Sequence, residues 1–326
     1  MVEDGSILGR NLAIEAARVA EAAAIAASTL MGLGDEHEAD QVAVDAMRTA
    51  LNRLHIDGRV VIGEGERDEA PMLFIGEEVG DKTGPKVDIA LDPLEGTTIT
   101  ATGGPNALAV IAFAEEGGFL NSPDVYMDKI AVGGGLPDHV VDLDAEPAEN
   151  LKNLAQAKGC QPSDLVACIL NRPRHAEAIA KVREAGARIR LIPDGDVAGV
   201  IATTRLNRSV DIYIGIGGAP EGVLAAAALR CIGGQMMGRL VFRNSDEKTR
   251  ARAMGITDLN RKYGLHELAG GDVMFAATGV TDGAMLKGVH RFSGGAHTHS
   301  VVMRSGTGTL RMIEAEHDFT RRPPRD

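Results

Sequence analysis

The sequence predicts an α/β protein, with an α+β half at residues 1–160 and an α/β half at 161–319. Helical periodicity dominates the first fifty residues, short apolar runs closed by Gly or Pro come next, and from Leu165 apolar runs alternate with amphipathic stretches. Residues 11–30 place Leu12, Ala16, Val19, Ala23, Ala27 and Leu30 at helical spacing and stop at Gly32 and Gly34. A second helix is expected at 39–54. Strands are expected at 60–62, 87–91 and 107–114, each followed by a Gly- or Pro-marked turn. The second half reads as strand 165–170, helix 175–185, strand 188–192, helix 197–204, strand 210–216 and helix 221–231. That alternation predicts an open, largely parallel sheet with functional groups at the carboxyl ends of its strands. Segments 298–304 and 309–314 flank Ser305-Gly306-Thr307-Gly308 as a terminal hairpin, and the Pro- and Arg-rich tail 320–326 is expected to be disordered.

Charge and composition narrow the function classes. Acidic residues outnumber basic ones 46 to 34, a balance that opposes the phosphate attraction behind nucleic-acid affinity and argues against anionic membrane as well. The apolar run at 22–27 is far below the roughly 20 residues that span a bilayer, and nothing resembles a signal peptide. A soluble, cytoplasmic chain is expected. Cys160, Cys168 and Cys231 lack paired spacing and read as reduced core residues. The glycines of 215–222 are not spaced G-x-G-x-x-G, which speaks against a dinucleotide.

Three acidic, glycine-marked segments each follow an apolar run: Gly63-Glu64-Gly65-Glu66, Asp92-Pro93-Leu94-Glu95-Gly96-Thr97, and Gly215 to Gly222 with Glu221 opening a helix. A carboxylate just beyond a buried strand is costly unless neutralised, and a hard divalent cation with oxygen ligands, Mg²⁺ or Mn²⁺, neutralises it most directly. Gly96 admits close approach by an anion, and Thr97 adds a hydroxyl, so the set suits phosphate-ester hydrolysis. Arg172 and Arg174, flanking Pro173, offer two guanidinium forks for a phosphate. Asp194 and Asp196, flanking Gly195, offer acceptors for sugar hydroxyls, and Tyr126 a hydroxyl to close over substrate.

Asp92-Pro93-Leu94-Glu95-Gly96-Thr97 resembles the D-P-[IL]-D-G-T signature of the lithium-sensitive metal-dependent phosphatases, with Glu at the second acid. Ile62 to Met72, Asn171 to His175, Pro193 to Val197 and Gly215 to Gly222 resemble, in order, the motifs of class II fructose-1,6-bisphosphatases, over a span of about 11–317. The resemblance implies a layered α/β/α/β/α sugar-phosphatase fold. It implies metal ligands at Asp40, Glu64, Asp92, Glu95 and Glu221, and catalytic roles for Thr97, Asp40 and Glu64, with the Thr97 hydroxyl helping to activate the attacking water. Substrate contacts are implied at Glu95, Gly96, Thr97, Tyr126, Arg172, Pro173, Arg174, Asp194, Gly195, Asp196 and Gly218. It implies a sugar bisphosphate losing its 1-phosphate, and a homo-oligomer. One departure is Glu36, which stands where the family usually has Lys. Sedoheptulose 1,7-bisphosphate or inositol phosphates as substrates, and a non-catalytic sugar-phosphate-binding regulator, are the alternatives.

Overall fold

The computed structural model describes residues 12–64, 73–204 and 209–321. Helix Leu12–Ala27 turns its alanines inward, Ala16, Ala20, Ala23, Ala24 and Ala27 being wholly buried, and lies on one face of the first sheet. Small side chains let the helix sit close to the strands. The second helix, Glu36–Leu51, begins three residues earlier than its apolar spacing suggests because Asp35 caps it, accepting from the Glu38 N–H at 2.9 Å.

Among the described residues the first sheet has eight strands, in the order His290–Phe292, Gly295–Arg304, Val273–Gly279, Leu108–Glu115, Lys86–Glu95, Asp57–Ile62 and Glu78–Val79, with Thr309–Asp318 pairing the free side of Gly295–Arg304. Its central strand Leu108–Glu115 is apolar as far as Ala114 because both faces are covered. Along Leu108–Glu115, Val110, Ala112 and Ala114 point into the middle of the molecule, while Ala109, Ile111 and Phe113 meet the outer helices. The terminal hairpin forms as expected, in full register from Gly295–Asp318 to Arg304–Thr309.

The second sheet runs Tyr263–Gly264, Gly234–Val241, Tyr126–Gly133, Ile212–Gly218, Val166–Leu170, Arg188–Ile192. It is mixed, which corrects the expectation of a largely parallel sheet. The three strands joined by helical crossovers are parallel, whereas Tyr126–Gly133 and Gly234–Val241 pair antiparallel. Neither of the latter was read as a strand, because Asp128, Lys129, Gln235 and Arg239 break the apolar pattern. Tyr126–Gly133, from the first half of the chain, thus lies in the second sheet.

Helix Ala219–Ile232 fills the space between the sheets, touching Val273–Gly279 and Lys86–Glu95 on one side and Gly234–Val241 and Tyr126–Gly133 on the other. Helices Pro147–Lys158 and Ala176–Glu184 cover the far face of the second sheet through Leu151, Leu154 and Val182. The resulting α/β/α/β/α layering is the expected one. Cys168 and Cys231 are buried, Cys160 half-buried, and all three are free. Of the expected tail, Thr320 and Arg321 close a short 3-10 turn, Phe319–Arg321, and residues 322–326 lie outside the described residues.

Candidate active site

Four acids come from elements of the first layer pair. Strand Asp57–Ile62 ends at Gly63, where a Cβ would fall 2.2 Å from the Leu73 carbonyl, so the chain can pass only as glycine. The same carbonyl accepts from the Glu64 N–H at 3.0 Å and fixes that glutamate. The rest of this motif, Gly65 to Met72, lies outside the described residues. Asp40 stands one turn into Glu36–Leu51 and is half-buried.

Asp92 and Glu95 do not sit on a turn, as expected, but on the last residues of strand Lys86–Glu95. Pairing with Leu108–Glu115 shifts register between them, and Pro93, which has no N–H for the ladder, occupies the irregularity. In a regular strand residues three apart face opposite ways; the bulge lets both acids face one side. Asp92 Oδ1 accepts from the Leu94 N–H at 3.0 Å. Glu95 is buried, its Oε1 accepting from the Val197 N–H at 2.7 Å. Gly96 then turns at φ 93° and hands over to helix Thr97–Thr102. Thr97 is half-buried and opens the helix, the N-cap being Gly96, which has no side chain to cap with.

The other acids come from the second layer pair. Strand Ile212–Gly218 runs directly into helix Ala219–Ile232, and Glu221 in its first turn folds back over Gly218, where a Cβ would lie 1.9 Å from Glu221 Oε2. Asp196, at the start of helix Asp196–Ile201, pairs with Lys129. That lysine points inward between Met127 and Ala131, is 1% exposed, and also donates to the Gly218 carbonyl at 2.9 Å. Gly217 leaves room for the pair, since a Cβ there would meet Asp196 Oδ2 at 2.2 Å and Lys129 Nζ at 3.0 Å.

The electrostatics bind these acids into one group. Burial, followed by Asp40, Glu221 and Asp124, pushes Glu64 up to about 8, against a contact with Asp92 that lowers it. Burial and then Glu64, Glu95, Glu221 and Asp40 raise Asp92 well above the carboxylate range. Glu95 is raised well above it by burial and Asp196, and Asp40 is raised by burial. Glu221 rises to about 7 through burial and Asp196, against the opposing charge of Lys129. Glu95 Oε2 and Glu221 Oε2 are buried without a hydrogen-bond partner. Among the described residues no three of these groups close on one point as a finished coordination sphere.

The rim is basic. Strand Val166–Leu170 leads into Asn171-Arg172-Pro173-Arg174-His175, and His175, buried, ties this segment down. Its Nδ1 bonds the Leu170 carbonyl at 2.8 Å and its Nε2 accepts from the Ile216 N–H at 2.8 Å. Burial, and then the adjoining Arg174 and Arg172, hold its pKa below the usual value, consistent with a neutral ring. Arg174 donates Nε and Nη2 to the Ile216 carbonyl at 2.9 and 2.7 Å and places its guanidinium carbon 4.9 Å from the Tyr126 ring centre. Asp194 caps its own turn through the Gly195 N–H at 3.1 Å, and Gly195 has φ 81°. Burial raises Asp194; Arg172 opposes that rise, and Asp196 and Glu36 add to it.

The structure therefore gathers Asp40, Glu64, Asp92, Glu95 and Glu221 into one acidic group. Arg172 and Asp194 follow the ends of the paired strands Val166–Leu170 and Arg188–Ile192, and Arg174 lies over Tyr126, the first residue of strand Tyr126–Gly133. Lys129 and His175 are positioning groups that the sequence reading missed. A lysine amid the apolar run of Tyr126–Gly133 was the available signal for the first.

The layers and this acid-floored, arginine-rimmed site define a protein of the layered sugar-phosphatase class. Residues 10–317 match the family model described as bacterial fructose-1,6-bisphosphatase, glpX-encoded. The chain is 46% identical over 329 aligned residues, 97% of each chain, to fructose-1,6-bisphosphatase 1 class 2 of Escherichia coli K12. It shows the same identity and coverage to fructose-1,6-bisphosphatase class 2 of Shigella flexneri. The chain belongs to the bacterial class 2 fructose-1,6-bisphosphatase family.

Proposed function

We propose that this protein hydrolyses the 1-phosphate of fructose 1,6-bisphosphate, giving fructose 6-phosphate and phosphate, with Mg²⁺ or Mn²⁺ as cofactor. The observation that carries the reading is the pair of orphaned buried oxygens, Glu95 Oε2 and Glu221 Oε2, within a group of acids that raise one another's pKa. An all-oxygen donor set with unspent acceptors suits a hard divalent cation. Asp40, Glu64, Asp92, Glu95 and Glu221 would hold it. When bound, such an ion neutralises these carboxylates and polarises the phosphoryl group.

The chain's own residues supply positioning, which carries most of the rate in phosphoryl transfer. Gly96 lets the backbone approach the leaving phosphate. The Thr97 hydroxyl orients the attacking water, and Asp40 and Glu64 assist it. Arg172 and Arg174, with Pro173 fixing the backbone between them, hold the phosphate that remains. Asp194, Gly195, Asp196 and Gly218 meet the sugar, and Tyr126 closes over it. In this reading residues 1–160 supply four of the five acids, and residues 161–319 supply Glu221 and the arginines. We place the protein in the cytoplasm as a homo-oligomer; among the described residues no helix is long and apolar enough to cross a membrane.

Phosphate release from fructose 1,6-bisphosphate, sedoheptulose 1,7-bisphosphate and inositol monophosphate, each with Mg²⁺, with Mn²⁺ and with chelator, tests the reading. Release from the fructose ester with metal alone, leaving fructose 6-phosphate, is expected. A stronger sedoheptulose or inositol rate would move the substrate, undiminished turnover in chelator would remove the metal, and no release at all would favour a binding regulator.

A further inference from the structure

We propose that Arg243 is a third arginine of the substrate site, binding the phosphate that stays on the sugar and so favouring bisphosphates over monophosphates. The proposal rests on the sugar-bisphosphatase reading and deepens it.

Arg243 follows strand Gly234–Val241, whose Val241 pairs with Tyr126 of the neighbouring strand. Sheet geometry therefore delivers the arginine beside that tyrosine. Its guanidinium carbon lies 5.0 Å from the Tyr126 ring centre, and the Arg174 guanidinium carbon lies 4.9 Å from the same centre. Two cations share one ring, although the region of sequence between them spans nearly seventy residues.

A buried carboxylate holds Arg243 in this pose. Asn244 caps helix Ser245–Ala253 by accepting from the Glu247 N–H at 2.9 Å, and Glu247 reaches back past the cap. Its Oε2 accepts from the Arg243 backbone N–H and its Oε1 from Arg243 Nε, both at 2.6 Å. Glu247 is 1% exposed, whereas the Arg243 side chain is 57% exposed. Burial works against the Glu247 charge, but the Arg243 backbone and guanidinium contacts overcome it and keep the carboxyl below its usual range.

One clamp thus fixes both the backbone and the inner nitrogen of the same arginine. Among the described residues only the inner nitrogen of this guanidinium is engaged, and the side chain is largely open to solvent at the rim. An ordinary surface arginine must give up rotamer freedom to bind an anion; here the clamp and the ring have already removed it. Arg174 has two of its three nitrogens committed to the Ile216 carbonyl, so Arg243 offers the fuller fork. A phosphate at the ring's edge would relieve the repulsion between the two cations.

The test uses the full chain with Mg²⁺. One arm compares kcat/KM for fructose 1,6-bisphosphate with that for fructose 1-phosphate, which lacks the second phosphate. The other measures binding of fructose 6-phosphate by calorimetry. Arg243→Ala should lower the bisphosphate-to-monophosphate ratio and weaken fructose 6-phosphate binding, each about ten- to a hundredfold. Arg243→Lys, which keeps charge without the fork, should fall between. Glu247→Gln should move both readouts the same way by releasing the clamp. Equal losses on both substrates would make Arg243 a structural residue and overturn the proposal, as would unaltered ratio and binding. If the wild-type protein binds fructose 6-phosphate through Arg243 yet releases no phosphate, the hydrolase reading fails while this one stands. If it neither binds nor hydrolyses, both fall.

Discussion

Lys129→Met removes the ammonium from the centre of the acid group while keeping most of the stem's length and apolar volume. The side chain is 1% exposed and its partner Asp196 6%, so neither charge can turn to water when the other is deleted. Among the described residues Asp196 would keep the Tyr213 hydroxyl, at 3.4 Å, and the Gly218 carbonyl would lose the donor it holds at 2.9 Å. Stranding one member of a buried pair costs about 3–5 kcal/mol, and the lost carbonyl bond adds about 1 kcal/mol. The variant should therefore lose roughly 4 kcal/mol or more of unfolding free energy. Asp196→Leu strands the lysine and should cost a similar amount. The double variant strands nothing and should cost much less than the sum, since an apolar pair often replaces an ionic one with little penalty. Urea unfolding of all four proteins, in chelator at one pH, reads these values. A loss below about 1 kcal/mol in Lys129→Met, or full additivity in the double variant, would refute the buried-pair argument.

Thr97→Ala should change stability by less than about 0.5 kcal/mol, because the N-cap is Gly96 and Thr97 stands one residue inside the helix, yet lower kcat roughly 10²-fold, with Thr97→Ser between; equal kcat for alanine and wild type would take the hydroxyl out of the mechanism. Arg174→Ala should raise KM for fructose 1,6-bisphosphate several-fold, and an unchanged KM in a folded variant would return this arginine to the surface. The acids predict a pH dependence in chelated protein. Glu64 at about 8 and Glu221 at about 7 lie above their unfolded value of 4.5, so the native state holds more protons than the unfolded chain between these limits. Stability should then fall as pH rises from about 5 to 8, and added Mg²⁺ should raise the melting temperature more at pH 8 than at pH 5. A flat profile in chelator would count against the acid group as drawn.

Much of the fold was legible where one residue pattern had one physical meaning. The alanine spacing of Leu12–Ala27 and the alternating Arg-Ile-Arg-Leu-Ile of Arg188–Ile192 each admit a single reading. Val273–Gly279 was missed because a short run, Val-Met-Phe-Ala-Ala-Thr-Gly, suits a buried helix as well as a strand. At the site, glycine beside acid was the telling signal, since Gly63, Gly96 and Gly218 each permit a backbone path that a side chain would block or strain. What could not be read was pairing across distance. Lys129 meets Asp196 and Arg174 meets Ile216 only after the second sheet forms. Asn244 and Glu247, three residues apart in the spacing of a helix cap, were a local clue to Glu247, but nothing in the sequence ties that cap to Tyr126.

Helix Ala219–Ile232 has a consequence for how this site is inherited. Ala225 to Ala228 are four consecutive residues with essentially no exposure, so every side of the shaft meets a neighbour. Their methyl groups act as shims, setting the gap between a sheet that carries Asp92 and Glu95 and a helix that carries Glu221. Differences of a few tenths of an ångström separate the bond lengths preferred by small and large divalent ions. Exchanging one of these alanines for valine would widen the gap without touching any polar atom. Drift in what the acids accept can thus arise in the plain interior of the sandwich, and its compensations would be found among the facing strand residues rather than at the mouth.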